Sequence, residues 1–428
     1  MRKILQPVAI ALAFVGIPVG AAFASGREAV QYYVAFGSTG LVAAAAAALI
    51  VTVSAVAMML LASLYQADDH TAVFKRIAGP WMARLMDVFT IITLFCIGFV
   101  MFAGGGSSLN QQFGAPIWVG ALLILGLLLL TGLLNTEKVA AVIGAFTPFI
   151  VVFIVLAAVY TVLTTDFDAE TLNQIADDYV ETTISAWWIG SINYGGINTL
   201  CSVAMAVIIG GRFFSLRIAG TGGLLGGLLF LAMLVLMVLA LYLSLSPELA
   251  TADLPMLVIL TNIHPWLGTL LSLAIFGMIL NTAIGMFYSL GKRLTKYNPR
   301  HFYAVFVGVS LVGFVLSFAG FQNLIGWVYP ALGYLGIIPA VVLWIGCFKA
   351  IPLMKKEGNI RAEAMALVDS AAAEGEPVDD EQLEQLAAQS VVDDEKFLDR
   401  IYNGTDRHRI FGKQQSVGEQ KDPQTKPA

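Results

Sequence analysis

Five positions near the start of the chain carry more chemistry than the apolar run around them. Gly16, Pro18 and Gly20 lie two apart in "GIPVG", and Ser25 and Glu28 lie three apart in "SGRE". Inside a helix, proline removes a backbone donor and clashes with the preceding turn, at a cost of about 3 kcal/mol or more. Each glycine lowers helix stability by up to about 1 kcal/mol. Ser followed three residues later by Glu is a capping-box pattern, in which each side chain satisfies a backbone N–H of the other residue. Breakers followed by a restart predict a helix interrupted in its middle. Carbonyls freed around Gly16–Gly20 suit a cation, and N–H groups at the restart, near Ala21–Gly26, suit an anionic group. Glu28 has three readings: capping the restart, pairing with Arg27, or carrying a proton. The spacing favours capping.

A second stretch has related content. "WWIGSINYGGINTL" places Gly190, Asn193, Tyr194, Gly195, Gly196 and Asn198 where an ordinary apolar helix is aliphatic. Two readings stand beside each other: a second interruption, which is the expectation, or a small-residue face for a neighbouring helix.

These stretches need a membrane around them. The chain has 428 residues, 58% hydrophobic and only 12% charged, against roughly a quarter charged in soluble domains. Apolar runs of about 20 residues fall at 5–36, 39–65, 83–105, 115–134, 138–164, 185–209, 217–246, 265–291, 302–320 and 324–350. The reading is an all-α polytopic membrane protein of about ten transmembrane helices, with helices 1 and 6 broken. Residues 1–164 form a first repeat of five helices, 165–184 an outer loop, 185–351 a second repeat, and 352–428 an acidic tail. Five helices per half force the two repeats to be inverted relative to each other, and paired interruptions in corresponding helices point to a binding site between the halves.

Lys and Arg set the orientation, because short cytoplasmic loops carry them in excess. With the N-terminus inside, the inner loops hold Lys75, Arg76, Arg84, Lys138, Arg212, Arg217, Lys292, Arg293, Lys296 and Arg300. The outer segments 106–116, 165–184, 247–264 and 321–323 have no Lys or Arg, and Arg27 alone escapes the cytoplasmic side. Both termini are therefore expected inside a cytoplasmic membrane. The net charge of −5 belongs to the tail, which holds 16 acids and 10 bases from residue 352 onward. Near Pro377 it reads as an amphipathic helix with a disordered end. The outer stretch 166–182, with six acids and no base, reads as a solvated loop with a short helix. "MRK", an apolar run and "AFA" before Ser25 also fit a cleaved signal peptide, but the apolar region is longer than the usual one and resumes after Glu28.

The motif "GIPVGAAFASGREAVQYYVAFG", with the two-half layout, resembles the YkvI-like bacterial membrane proteins of the amino acid–polyamine–organocation superfamily. The resemblance implies the LeuT-type fold and symport of an amino acid or similar small neutral or zwitterionic solute, coupled to Na⁺ or H⁺. It also implies one Na⁺ site from the Gly16 and Val19 carbonyls, the Gly277 carbonyl, and the Asn281 and Thr282 side chains. The solute is placed by Gly20, Ala21, Phe23, Ser25, Gly26, Phe102, Asn193, Tyr194, Gly195 and Gly196, with Trp188 as a further aromatic cover. Arg27 and Glu28 are the gate or coupling candidates. "FAGGGSSLN" in helix 3 reads equally as a close approach to the cavity or as helix packing.

No enzyme is expected, since Asp, His and Glu do not cluster inside the spans. No nucleic-acid signature appears, and the glycine runs at 104–106 and 220–227 lack a P-loop lysine. The expected partners are a small solute and the lipid bilayer, with Na⁺ as the only candidate cofactor. A passive channel and a transporter-like sensor signalling through the tail are the rival classes.

Overall fold

The computed structural model describes residues 2–131, 147–165, 168–374 and 378–404. The expected turn around Lys138, the vicinity of Pro377 and the tail beyond 404 lie outside them. Among the described residues, seven helices are long and apolar enough to cross a membrane, and three shorter apolar helices accompany them. The chain is an all-α, multi-pass membrane protein.

The first span is three pieces: α1 (Arg2–Val15), α2 (Ala21–Ser25) and α3 (Arg27–Tyr32). Next come α4 (Thr39–Tyr65), α5 (His70–Phe113), α6 (Ile117–Thr131) and α7 (Thr147–Thr164). The linker helix α8 (Ala169–Tyr179) matches the short helix expected in the acidic loop. The second half holds α9 (Trp187–Gly211), α10 (Leu216–Leu243), the short α11 (Pro247–Thr251) and α12 (Pro255–Ile263), α13 (Pro265–Leu294) and α14 (Phe302–Leu316). Helix α15 (Phe321–Glu374) then runs straight past residue 352, and α16 (Asp380–Gln389) and α17 (Asp394–Gly404) follow. In α5 the chain turns at Gly79 (φ 86°), just before Pro80, so a short segment beginning at His70 precedes the membrane-crossing part.

The packing follows an exchange of halves. Helix α1 packs on α10 and α9 on α4; α4 packs on α10 and α5 on α13. The pairs α5–α6 and α13–α14 correspond, as do α5–α14 and α13–α6. One pair departs from this symmetry: α15 lies along α9, whereas α7 makes no comparable contact with α1.

Two ends of the bundle are useful landmarks. The tail end holds Tyr65, Gly211 and the tail; the loop end holds α8, α11 and α12. At the tail end, Ile360, Ala364 and Val368 of α15 form a small core with Leu383, Leu386, Phe397 and Ile401. Arg361 is buried there. Its Nε donates to Glu357 (2.8 Å), Nη1 to the carbonyls of Ser63 (2.9 Å) and Phe214 (2.7 Å), and Nη2 to that of Leu64 (2.8 Å). Arg400 donates to the carbonyl of Gly211 (3.3 Å) and Lys396 to that of Gln66 (2.6 Å). The described part of the tail clasps the ends of α4 and α9.

The expected break in the sixth span is overturned. Helix α9 is continuous from Trp187 to Gly211, with no non-helical residue inside it. Its glycines are contact points: a Cβ on Gly196 would sit 2.3 Å from the Gly333 carbonyl, and one on Gly195 would sit 2.3 Å from Ile50. Its polar side chains are satisfied without breaking the helix. Ser191, Asn198 and Thr199 donate to the carbonyls of Trp187, Tyr194 and Gly195, one turn back. Asn193 donates to the Pro330 carbonyl of α15 at 2.8 Å. The small-residue packing reading is the one realised.

Candidate solute and cation site at the broken first span

The first span breaks where its residues demand it. Pro18 offers no N–H, and the Phe14 carbonyl one turn back is taken by the Ile17 N–H at 2.9 Å. Val19 N–H reaches the Val15 carbonyl (3.2 Å), and Gly20 N–H turns to Pro18 (2.9 Å). Among the described residues no hydrogen-bond donor reaches the carbonyls of Gly16, Ile17 or Val19. In hydrocarbon such groups cost several kcal/mol each unless protein or a wet cavity covers them.

A cavity covers them. It measures about 810 Å³ and is lined by the whole stretch 15–23, by Glu28, and by residues of α5, α7, α9, α10, α13 and α15. Its wall extends toward the tail end through Leu12, Met205 and Met286. Toward the loop end the path is shut, since Phe23, Arg27, Tyr32, Tyr33 and Tyr194 are each at most 1% exposed. A smaller hollow of about 450 Å³ at the loop end, lined among others by Asp168 and Asn262, shares no residue with it.

The structure divides the expected site residues. Gly16, Val19, Gly20, Ala21, Phe23, Asn281 and Thr282 line this one cavity, together with Glu28. Thr282 donates its hydroxyl hydrogen to the Met278 carbonyl (2.9 Å), leaving oxygen lone pairs free to accept. Oxygen atoms from two free carbonyls, a hydroxyl and an amide are the donor set a hard cation takes.

The other expected residues lie off the wall. Gly277 is absent from the lining, and Ser25, Gly26, Asn193, Tyr194, Gly195 and Gly196 stand behind it. Phe102 stacks on Phe287 (5.2 Å between centroids), and Trp188 is exposed on the outside of the bundle. The glycines of "FAGGGSSLN" serve helix packing, with Gly105 and Gly120 backbone to backbone.

The capping box does not form. Gly26, in the left-handed region at φ 79°, separates α2 from α3, and no side chain caps α3. Ser25 Oγ donates to the Ala22 carbonyl (2.7 Å) and accepts from Arg27 N–H (3.1 Å). Glu28 is therefore freed from capping, and its Oε1 accepts from the Tyr194 hydroxyl at 3.1 Å. It does not pair with Arg27, which lies buried rather than at an open mouth. Arg27 Nη1 donates to the carbonyls of Ala250 (2.6 Å) and Ala252 (3.1 Å) in the loop-end turn.

Sequence reasoning gave no site role to Cys201 or Tyr329 and read Asn198 only as part of the expected sixth-span break; all three share the cavity wall with Glu28. It also missed the belt behind them, where Tyr32 donates to Asn193 Oδ1 at 2.9 Å. The one signal available was "GYLG" in α15, whose Gly333 and Gly336 meet Asn193 and Gly196.

This architecture is the LeuT fold. The structure of MhsT in complex with L-phenylalanine superposes at a TM-score of 0.53 and 14% identity, over 79% of this chain and 86% of that one. A manganese transporter of Eremococcus coleocola gives 0.55 at 14% identity, over 93% of each chain. In sequence the chain is 26% identical over 330 residues to the uncharacterized membrane protein YkvI of Bacillus subtilis, covering 77% of this chain and 92% of that protein. It is 25% identical over 347 residues to YyaD of the same organism, covering 81% and 96%. No family model matches. The resemblance to YkvI-like proteins thus extends over nearly the whole of both relatives.

Proposed function

We propose that the protein is a secondary transporter that carries an amino acid or similar small solute by alternating access, coupled to a cation. The observation that carries this reading is the broken first span, whose unpartnered residues line a cavity that extends toward one end of the bundle and is closed off from the other by buried side chains. A passive pore needs a continuous path, and Arg27 with the tyrosine belt closes it. The fold neighbours include a protein in complex with L-phenylalanine and a manganese transporter, which supports carriage without naming the cargo. In this reading the tail end is cytoplasmic, as the Lys and Arg placement requires, and the structure faces inward. A Na⁺ ion is held by the Gly16 and Val19 carbonyls with Thr282 and Asn281.

Purified protein in proteoliposomes tests this. Uptake should saturate, show counterflow, and depend on an imposed Na⁺ or H⁺ gradient. Thr282→Val should weaken apparent Na⁺ affinity about tenfold, some 1.4 kcal/mol, without changing H⁺ dependence. Flux that rises linearly with solute and shows no counterflow would overturn the carrier reading in favour of a pore.

A further inference from the structure

Among the described residues the cavity lining contains one carboxylate, Glu28, and no Lys, Arg or His. Glu28 is only 6% exposed. The Tyr194 hydroxyl serves its Oε1, and among the described residues no donor reaches its Oε2. The one nearby cation, Arg27, directs its guanidinium to the carbonyls of Ala250 and Ala252. The titratable groups close enough to interact with Glu28 are Tyr32 of α3, Tyr33 just after it, Tyr194 and Cys201 of α9, and Tyr329 of α15. None of them is basic. A buried carboxylate with no positive partner is costly; a proton relieves that cost, and so does a cationic group that enters the cavity.

The wall around Glu28 has a pattern of its own. Asn198, Cys201 and Tyr329 make a polar patch beside the carboxylate, while Ile97, Met101 and Met278 make the wall apolar elsewhere. Tyrosine rings also attract cations through their faces. The candidate Na⁺ ligands at Gly16, Val19 and Thr282 contribute no negative charge that would compete for this role.

We propose that the transported solute presents an ammonium group to Glu28, beside Tyr329 and Asn198, and lays an apolar side chain against Ile97, Met101 and Met278. One carboxylate accommodates one ammonium, so the cargo class is an amino acid or monoamine with an apolar side chain. Carboxylates that lack an amino group are excluded. This inference rests on the transporter reading above.

The test uses the purified full chain and matched ligands, read by thermal shift and calorimetry. The panel is the twenty proteinogenic L-amino acids plus two matched series. One series is L-leucine, 3-methylbutylamine and 4-methylpentanoate; the other is L-phenylalanine, 2-phenylethylamine and 3-phenylpropanoate. At least one apolar amino acid or amine should stabilise the protein while its des-amino carboxylate does not. Glu28→Gln should raise the dissociation constant of the ammonium ligands at least tenfold, and Glu28→Asp should raise it less.

Equal binding by the des-amino carboxylates overturns the inference, and that comparison needs no variant. Failure of every amine and amino acid to bind also overturns it. So does a Glu28→Gln protein that binds ammonium ligands normally and loses only pH dependence, because Glu28 would then be a proton site. In that last case saturable counterflow persists and the carrier reading survives. Only linear wild-type flux removes both.

Discussion

The first and sixth spans begin from similar material and end differently. Each gathers glycines and polar residues where lipid would call for aliphatic ones, and each holds the corresponding place in its half. The first is cut into α1, α2 and α3; the sixth is the single helix α9. Glycine alone does not break a membrane helix when a neighbour fills the groove it leaves. Gly196 is pressed against Gly333 and Gly336, whereas Gly20 has nothing within 4 Å of an added Cβ. In the first span Pro18 offers no N–H, the Ile17 N–H folds back onto the Phe14 carbonyl in a tighter turn, and among the described residues the carbonyls of Gly16, Ile17 and Val19 are left open. Proline alone does not decide either: α15 stays one helix through Pro330, Pro339 and Pro352, and the Gly326 carbonyl opposite Pro330 takes the Thr183 hydroxyl at 2.6 Å. What marks the first span is a proline between two glycines with no neighbour filling the groove at Gly20.

The two spans also differ in how their tail ends are held. The end of α9 is gripped by Arg400 and, through the Phe214 carbonyl in the turn to α10, by Arg361. Arg361→Ala is expected to have the largest effect, because it strands buried Glu357 and four hydrogen bonds go with it. A loss of about 3–5 kcal/mol should appear as a lowered melting temperature in detergent. If the tail were an independent appendage, melting would be unchanged.

Next in size is Pro18→Ala, which supplies the backbone N–H a regular helix would use at this position and removes a penalty of about 3 kcal/mol from a continuous first span. Uptake in proteoliposomes should fall at least tenfold while the melting temperature holds or rises. Normal uptake would mean the break is not the working site.

A smaller, paired measurement separates the spans directly. Gly196→Ala should cost about 1–3 kcal/mol through overpacking against α15, while Gly20→Ala should stay within about 0.5 kcal/mol. Equal losses would erase the distinction drawn here.

The smallest effect lies outside the membrane and serves as a control. Asp69 caps α5 and pairs with His70 Nδ1 at 2.7 Å. The His70 hydrogen bond, opposed by partial burial and helped by Thr71, holds its carboxyl well below the usual carboxylate range. A carboxyl depressed in the folded state contributes stability above its unfolded value of about 3.9, and loses it as pH falls below that. Asp69→Asn should therefore cost under about 1 kcal/mol for so exposed a group. The gap to the wild type should narrow as pH falls below about 4. A gap that persisted undiminished in strong acid would contradict the assignment.

Sequence alone made the ten apolar runs, the linker helix α8 and the first-span break legible, because length, composition and proline act locally. It did not reveal that α9 stays whole. Glycine serves both breaks and close packing, and the choice depends on Gly333 and Gly336, far along the chain. Ser25 and Glu28 misled for a related reason: the spacing fits a cap, but Gly26 adopts the left-handed turn and Tyr194 claims the carboxylate. The same distance in sequence hid Tyr329 and Asn198 from the site, and it hid the clasp made by Arg361.

Arg27 closes the loop end with a bolt of an unusual kind. It grips two main-chain oxygens instead of a carboxylate, and its Nε and Nη2 are buried without partners among the described residues. Unsatisfied donors cost about 1–3 kcal/mol each, so water reaching this guanidinium would be rewarded at once. In the proposed carrier, opening at this end would then need no proton, since the guanidinium does not titrate in the physiological range and carbonyls do not titrate at all; wetting alone would spring it.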